Sequence, residues 1–244
     1  MKIQNATADP MGTAIYDYHK TGNAGKLIVH SSMFEDDEIP VADLFRTYKD
    51  MPRLEQKALE LAHGRILDVG AGSGCHSAAL QQMGKDSHAI DISPLSVKVM
   101  QERGLDAYLT DFYDARFTER FDTILMLMNG TGIIGTMERL PEFFRRLKQL
   151  LKPGGSVIID SSDLCYLFEE EDGSMMIDLA GDYYGQLDYQ MEYKGMLGEP
   201  FDWLYLDFST LNAAAEEHGF KAELLAEGEH YDYLARLTVS RPDA

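Results

Sequence analysis

Asp68-Val69-Gly70-Ala71-Gly72-Ser73-Gly74 sets one carboxylate before three glycines at alternating positions. A glycine has no Cβ, so backbone there can come directly against a ligand. The N–H groups of a helix starting at such a turn can meet a polar or anionic group. The acid in front can accept hydrogen bonds from the turn or from a ligand ammonium. A second acid, Asp91, follows about twenty residues further on, where a strand-end carboxylate of a βαβ unit suits the two hydroxyls of a ribose. The glycine spacing disfavours a dinucleotide: Gly-x-Gly-x-x-Gly would need its third glycine where Cys75 stands.

These residues need an α/β scaffold, and the pattern around them describes one. Arg65–Val69 reads as a buried strand, and the apolar spacing of Ala78, Ala79, Leu80 and Met83 as the helix after the turn. Ala89–Ile92 reads as a second strand, followed by Ser93-Pro94 as a helix cap and first helical residue. Ala107–Phe112 is a third strand and turn. Phe121–Met128 is an apolar run too short to span a membrane, fitting a central parallel strand buried on both faces. It ends in Asn129-Gly130-Thr131-Gly132, where such a sheet opens its ligand crevice. An amphipathic helix over Leu140–Leu151 stops at Lys152-Pro153-Gly154-Gly155, and Ser156–Asp160 is a fifth strand. Leu211–His218 is the last helix. Ala222–Leu225 and Tyr231–Val239 are joined by the short link Glu227-Gly228-Glu229, so the sheet should close with an antiparallel hairpin strand.

The Asp-x-Gly-x-Gly-x-Gly run resembles motif I of the class I S-adenosylmethionine (SAM)-dependent methyltransferases. The order of elements from Gly64 to Ala244, including Leu151-Lys152-Pro153-Gly154-Gly155, is similar to theirs. The resemblance implies a seven-stranded, mostly parallel Rossmann-like sheet with a C-terminal antiparallel hairpin strand, helices on both faces, and SAM as cofactor. It implies that Asp68, Gly70, Gly72, Gly74 and Ile92 meet the cofactor, with Asp91 at the ribose. It assigns Asp111 and Phe112 to the adenine, as a polar contact and an apolar wall, and places Asn129 beside the methyl in transit.

Two segments lie outside this core. Residues 1–62 read as an N-terminal helical cap, with Asp50-Met51-Pro52 opening a helix that stops at Gly64; Tyr16–His19 and Leu44–Tyr48 resemble helices that such enzymes fold over the cofactor. Residues 63–163 and 206–244 form the cofactor domain. Residues 164–205 read as an inserted β-rich substrate lid, with strand-like stretches at Tyr183–Tyr193 and Phe201–Phe208. Asp163, Tyr184 and Trp203 are its acceptor-site candidates. Glu169–Asp172 reads as a solvated loop before Gly173.

A net charge of −19, from 41 acidic against 22 basic residues, opposes a nucleic-acid partner, because phosphate backbones are held by Lys and Arg. A small-molecule acceptor, or else a protein one, is expected, and a homodimer is left open. No long apolar segment or signal peptide is present and only Cys75 and Cys165 occur, so a reduced, cytoplasmic protein with no membrane or metal partner is the expectation. Methyl transfer from a sulfonium is governed by alignment and desolvation, and a base is needed only where the acceptor is protonated. Asp163, Tyr184 and His19 are the side chains that could serve as one; whether the acceptor atom is O, N, S or C stays open. A SAM-binding regulatory or scaffold protein and a nucleotide-dependent oxidoreductase are the alternatives.

Overall fold

A computed structural model describes residues 2–5, 7–168 and 182–240 of the chain. The elements in chain order are α1 (Pro10–Thr21), β1 (Leu27–His30), β2 (Asp37–Ile39), α2 (Arg53–Leu61), β3 (Arg65–Val69), α3 (Cys75–Gln82) and β4 (Asp86–Asp91). They continue with α4 (Pro94–Glu102), β5 (Ala107–Leu109), β6 (Phe121–Met126), α5 (Leu140–Leu150), β7 (Leu151–Ser162) and β8 (Gln186–Tyr193). The chain closes with β9 (Met196–Leu197), β10 (Phe201–Leu204), α6 (Phe208–Glu217), β11 (Phe220–Glu227) and β12 (Asp232–Val239).

The main sheet has seven strands in the order β11-β12-β7-β6-β3-β4-β5. β7, β6, β3, β4 and β5 pair in parallel, and β12 pairs antiparallel with both β7 and β11. Helices cover both faces, which is why the central strands are continuous apolar runs: Ile66, Leu67, Ile124, Leu125, Val157 and Ile159 have no exposed surface. On one face α5 buries Leu140, Phe143, Phe144, Leu147 and Leu150, a stripe at helical spacing. On the other, α2 and α3 bury Leu54, Ala58, Leu59, Ala79 and Leu80. The expected seven-stranded sheet with its closing antiparallel hairpin is therefore present.

A second sheet, with β9 off its path, runs β10-β8-β1-β2. It differs from a self-contained hairpin lid in one respect. β8 pairs with β10 on one side and with β1 on the other, Leu27 opposite Tyr193 and Val29 opposite Met191. Residues 1–62 are thus not purely helical: α1 and α2 are helices, but β1 and β2 give this second sheet two of its five strands, and Val41–Phe45 and Tyr48–Asp50 are only short 3₁₀ turns. Leu27–His30 is four residues long, too short for alternation to mark it, and its partner lies about 160 residues away in sequence. The second lid strand is also shorter than expected, because Asp207 caps α6 through Thr210 N and turns Phe208 into a helix. The Glu169–Asp172 run lies outside the described residues. Among the described residues, no helix is long and apolar enough to cross a membrane.

Candidate active site

The turn after β3 is built by its glycines. Gly70, Gly72 and Gly74 have φ of +70°, +57° and +80°, a region that residues with a Cβ enter at a cost. They have different surroundings. A Cβ on Gly74 would strike Leu105 Cδ1 at 2.6 Å and Met100 Cγ at 2.8 Å, so Gly74 serves close packing of the turn on the helix layer. A Cβ on Gly72 would meet nothing nearer than Ile15 Cδ1 at 4.0 Å, because Gly72 faces a cleft of about 1380 Å³. Four of the turn's N–H groups are already engaged: Gly70 and Ala71 donate to Ile90 O, Gly72 to Asp91 Oδ2 and Gly74 to Ala71 O. What the turn offers a ligand is chiefly room.

Asp68, at the end of β3, is 2% exposed and accepts from Ser77 Oγ at 2.6 Å. Burial raises its carboxyl above the usual range, against nearby His76 and the Ser77 hydrogen bonds. Behind it lies a buried triad in which Arg46 and His76 both hydrogen-bond Glu55, His76 Nε2 at 2.9 Å. Burial opposes ionisation of Glu55, but His76 and Arg46 outweigh it and hold the carboxyl below its ordinary value.

Asp91, at the end of β4, accepts from Gly72 N through Oδ2 and from Ser93 N through Oδ1, both at 2.8 Å. Each oxygen keeps a second lone pair for a hydroxyl. Burial pushes the carboxyl up to about 6, against these two hydrogen bonds, and the carboxylates of Asp9 and Asp68 push the same way. Next to it, a small side pocket of about 50 Å³ is lined by Gly70, Asp91, Ile92, Asp111, Phe112 and Ile133, among others. Asp111 accepts from Tyr113 N at 2.7 Å, and Phe112 is 3% exposed and packs on Phe143 and Tyr113.

Asn129 lines the large cleft from the end of β6. It and Met128 are consecutive non-glycine residues at φ of +60° and +66°. That backbone is costly and needs support, which comes from Asp160 on the neighbouring β7: Oδ2 accepts from Met128 N at 3.0 Å and Oδ1 from Gly130 N at 2.9 Å. Burial pushes Asp160 up to about 6 as well, against these two bonds. Composition gave no sign of this clamp; an Asp ending a strand looks the same whether or not it serves a neighbouring turn.

The second sheet roofs the cleft. Period-two alternation aims one face inward: Val29 of β1, Asp37 and Ile39 of β2, Leu187, Tyr189 and Met191 of β8, and Phe201 and Trp203 of β10 all line it. Trp203 packs on Gly132, and Thr131 Oγ1 donates to Leu204 O at 2.8 Å, seating the roof on the loop that carries Asn129. The hydroxyls of Tyr189 and Tyr205 lie 3.2 Å apart on this roof. Burial raises both phenols, so both stay neutral at ordinary pH.

The site residues expected from the sequence thus separate into groups. Asp68, Gly70, Gly72, Asp91, Ile92, Asn129 and Trp203 line one cleft, and Asp111 and Phe112 line its side pocket. Gly74 packs behind them. Asp163 and Tyr184 do not line the cleft: Tyr184 donates to Asp163 Oδ1 at 2.7 Å, and Asp163 Oδ1 also accepts from Cys165 N. His19 sits with Glu102 at 3.1 Å, away from the cleft lining. Sequence reasoning missed Tyr166, Asp9 and Ser93, which also line it. Among the described residues, no group of three or more His, Cys, Asp or Glu side chains is arranged to hold a metal ion.

The chain matches a family model described as a methyltransferase domain over residues 66–155. It is 32% identical to the cypemycin N-terminal methyltransferase of a Streptomyces species, over 40% of this chain and 42% of that one. It is 31% identical to the ubiquinone biosynthesis O-methyltransferase of Xanthomonas oryzae, over 42% of this chain and 45% of that one. The chain therefore spans less than half the length of these curated relatives. A solved structure extends the likeness to the whole chain: a SAM-dependent methyltransferase from Bacteroides fragilis, in complex with S-adenosylhomocysteine, is 58% identical, has a TM-score of 0.93, and matches over 98% of each chain. The chain belongs to the SAM-dependent methyltransferases.

Proposed function

We propose that this protein moves a methyl group from SAM to a small-molecule acceptor bound beneath the second sheet. The observation that carries this reading is the open cradle at Gly72, facing a cleft whose floor holds Asp91 and Asn129 and whose roof is aromatic. The residues present fit the cofactor: Asp91 for the ribose hydroxyls, the side pocket at Asp111 and Phe112 for the adenine, and the space before Gly72 and Asp68 for the amino-acid end. When bound, SAM supplies a methyl already activated on a sulfonium. The chain's own task is then to align the acceptor, exclude water and keep the acceptor atom's lone pair free.

The cleft wall supports a neutral or amine-bearing acceptor over an anionic one. Glu35, Asp36, Asp37 and Glu199 line it, against Lys2 and Arg139. Arg139 lies 3.9 Å from the Tyr113 ring centroid and 3.5 Å from Glu142, so its charge is largely engaged. The relatives include both an N-terminal and an O-methyltransferase, so amine and hydroxyl acceptors both belong in the screen.

The test is thermal melting with S-adenosylhomocysteine, followed by a SAM-turnover screen of neutral, amine and carboxylate small molecules. The native protein should melt higher with the ligand. Gly72→Val, strained at φ +57° but with no neighbour for its Cβ to strike, should lose the shift because its side chain would occupy the cradle, with unliganded melting as the folding control. A Gly72→Val protein that keeps the shift would remove the glycine turn from the site, and turnover confined to carboxylates would overturn the acceptor class.

A further inference from the structure

Two helix N-termini meet beside Asp91, and one hydrogen bond joins them. Asp9 caps α1, accepting from Gly12 N through Oδ1 at 2.8 Å. Ser93 caps α4, accepting from Ser96 N through Oγ at 3.0 Å. Ser93 Oγ then donates to Asp9 Oδ2 at 2.5 Å, while Ser93 N donates to Asp91 Oδ1 at 2.8 Å. Gly72 N completes the series on Asp91 Oδ2. The contacts therefore run Gly72, Asp91, Ser93, Asp9, α1 without a break. Asp9 has no exposed surface, although it is a carboxylate in a net-negative protein. The junction is tight: a Cβ on Gly12 would fall 2.2 Å from both Asp9 Oδ2 and Ser93 Oγ. The same helix carries Ile15, the side chain nearest the open face of Gly72.

We propose that Asp9 is a positioning residue for the cofactor: it holds Ser93, and through Ser93 the orientation of Asp91, so that docking of α1 over the glycine turn and binding of the ribose are one event. A helix cap alone would need only the Gly12 bond. The second oxygen, spent on Ser93, is what links α1 to the cofactor floor. The arrangement sets two like charges one serine apart, and the Asp9 carboxylate helps raise the Asp91 carboxyl. The charged groups facing Asp91 are Asp9 from the start of α1 and Asp68 from β3, both negative. Removing the charge of Asp9 should therefore make Asp91 easier to ionise. The inference rests on Asp91 being the ribose residue, and the experiment separates the two claims.

S-adenosylhomocysteine affinity is measured by calorimetry from pH 5 to 8 for the native protein and for Asp91→Ala, Asp9→Ala and Asp9→Asn, with unliganded melting as the folding control. Native affinity should fall as pH drops through about 6, as Asp91 takes up a proton. At pH 8, Asp9→Ala should weaken binding about tenfold, the scale of losing a charged hydrogen-bond partner. Asp9→Asn retains the shape and the cap oxygen, so it should restore affinity to within about threefold, with its acid limb below the native one. If Asp9→Ala binds like the native protein while Asp91→Ala has lost affinity, the inference is overturned, and so it is if the acid limb of Asp9→Asn does not move. If Asp91→Ala itself binds normally, it is the ribose assignment that fails.

Discussion

Gly132 and Trp203 pack backbone against indole: a Cβ on Gly132 would lie 1.9 Å from Trp203 Cε2 and 2.3 Å from Cδ2. This contact fixes the height of the roof over the loop that begins at Asn129. It also explains why the Asn129-Gly130-Thr131-Gly132 run carries two glycines. Gly130 is closed off separately, since its Cβ would meet Met126 Cβ at 2.7 Å.

Gly132→Ala should therefore lift β10 away from the loop. The obstacle is a buried ring face, which cannot swing aside like the end of a long side chain, so overpacking of about 1–3 kcal/mol is expected. Trp203 is the sole tryptophan, so its emission reports on this contact alone. The expected outcome is a lowered denaturant midpoint together with a red-shifted emission. Unchanged stability and emission would show that the roof does not rest on Gly132.

The floor of the cleft was legible in the sequence because each of its parts is local. A glycine turn after a strand and an acid ending the next strand are short-range consequences of one βαβ unit, and the structure brings Gly72 and Asp91 into hydrogen-bond contact. The sheet order followed from the same local patterns and a short closing link. The roof of the cleft was harder because it depends on pairings distant in sequence. β1 joins β8 across most of the seven-stranded sheet's sequence, and no local alternation in four residues announces it. Tyr184 was singled out within an aromatic-rich stretch, yet it precedes the strand. The alternation that aims side chains at the cleft starts at Gln186, and it selects Leu187, Tyr189 and Met191. Asp9 and Asp160 were hidden for a related reason: each accepts from donors on another element, the Ser93 hydroxyl for Asp9 and the Met128 and Gly130 N–H groups for Asp160, which residue identity does not encode.

Asp160→Asn should leave a signature in the pH dependence of stability. The folded carboxyl titrates near 6, above its unfolded value, so the native state holds the proton more tightly than the unfolded chain does. Its contribution is complete below the unfolded pKa and is lost as pH rises through about 6. An asparagine does not titrate. The stability of Asp160→Asn relative to native should therefore improve between pH 4 and pH 7, by about 1–3 kcal/mol. Urea denaturation of both proteins across that range measures it. A difference that stays constant with pH would mean Asp160 is not held in a proton-retaining site. At fixed low pH the variant should still be weaker, because its amide nitrogen faces one of two N–H donors and leaves it unpaired.

The Tyr189–Tyr205 pair gives the sharpest test of the acceptor chamber. In a pair of neutral hydroxyls one donates to the other, and the second proton stays available for a group in the cleft. Phenylalanine keeps the ring packing, including the Tyr189 contact with Phe201, and removes only the hydroxyl. With an acceptor identified by the turnover screen, each single Tyr→Phe change should raise KM only about twofold, and the double change about tenfold, as expected for neutral hydrogen bonds. The two effects should not add, because deleting one hydroxyl frees the other to turn toward the acceptor. S-adenosylhomocysteine affinity should be unchanged in all three variants, which separates acceptor binding from cofactor binding. The pH profile supplies the remaining distinction. Burial raises both phenols, so neither should act as a base near neutrality, and kcat should fall far less than KM rises. If Tyr205→Phe instead lowers kcat more than a hundredfold at constant KM, the pair belongs to the proton-transfer step, and its role as a neutral anchor for the acceptor is refuted.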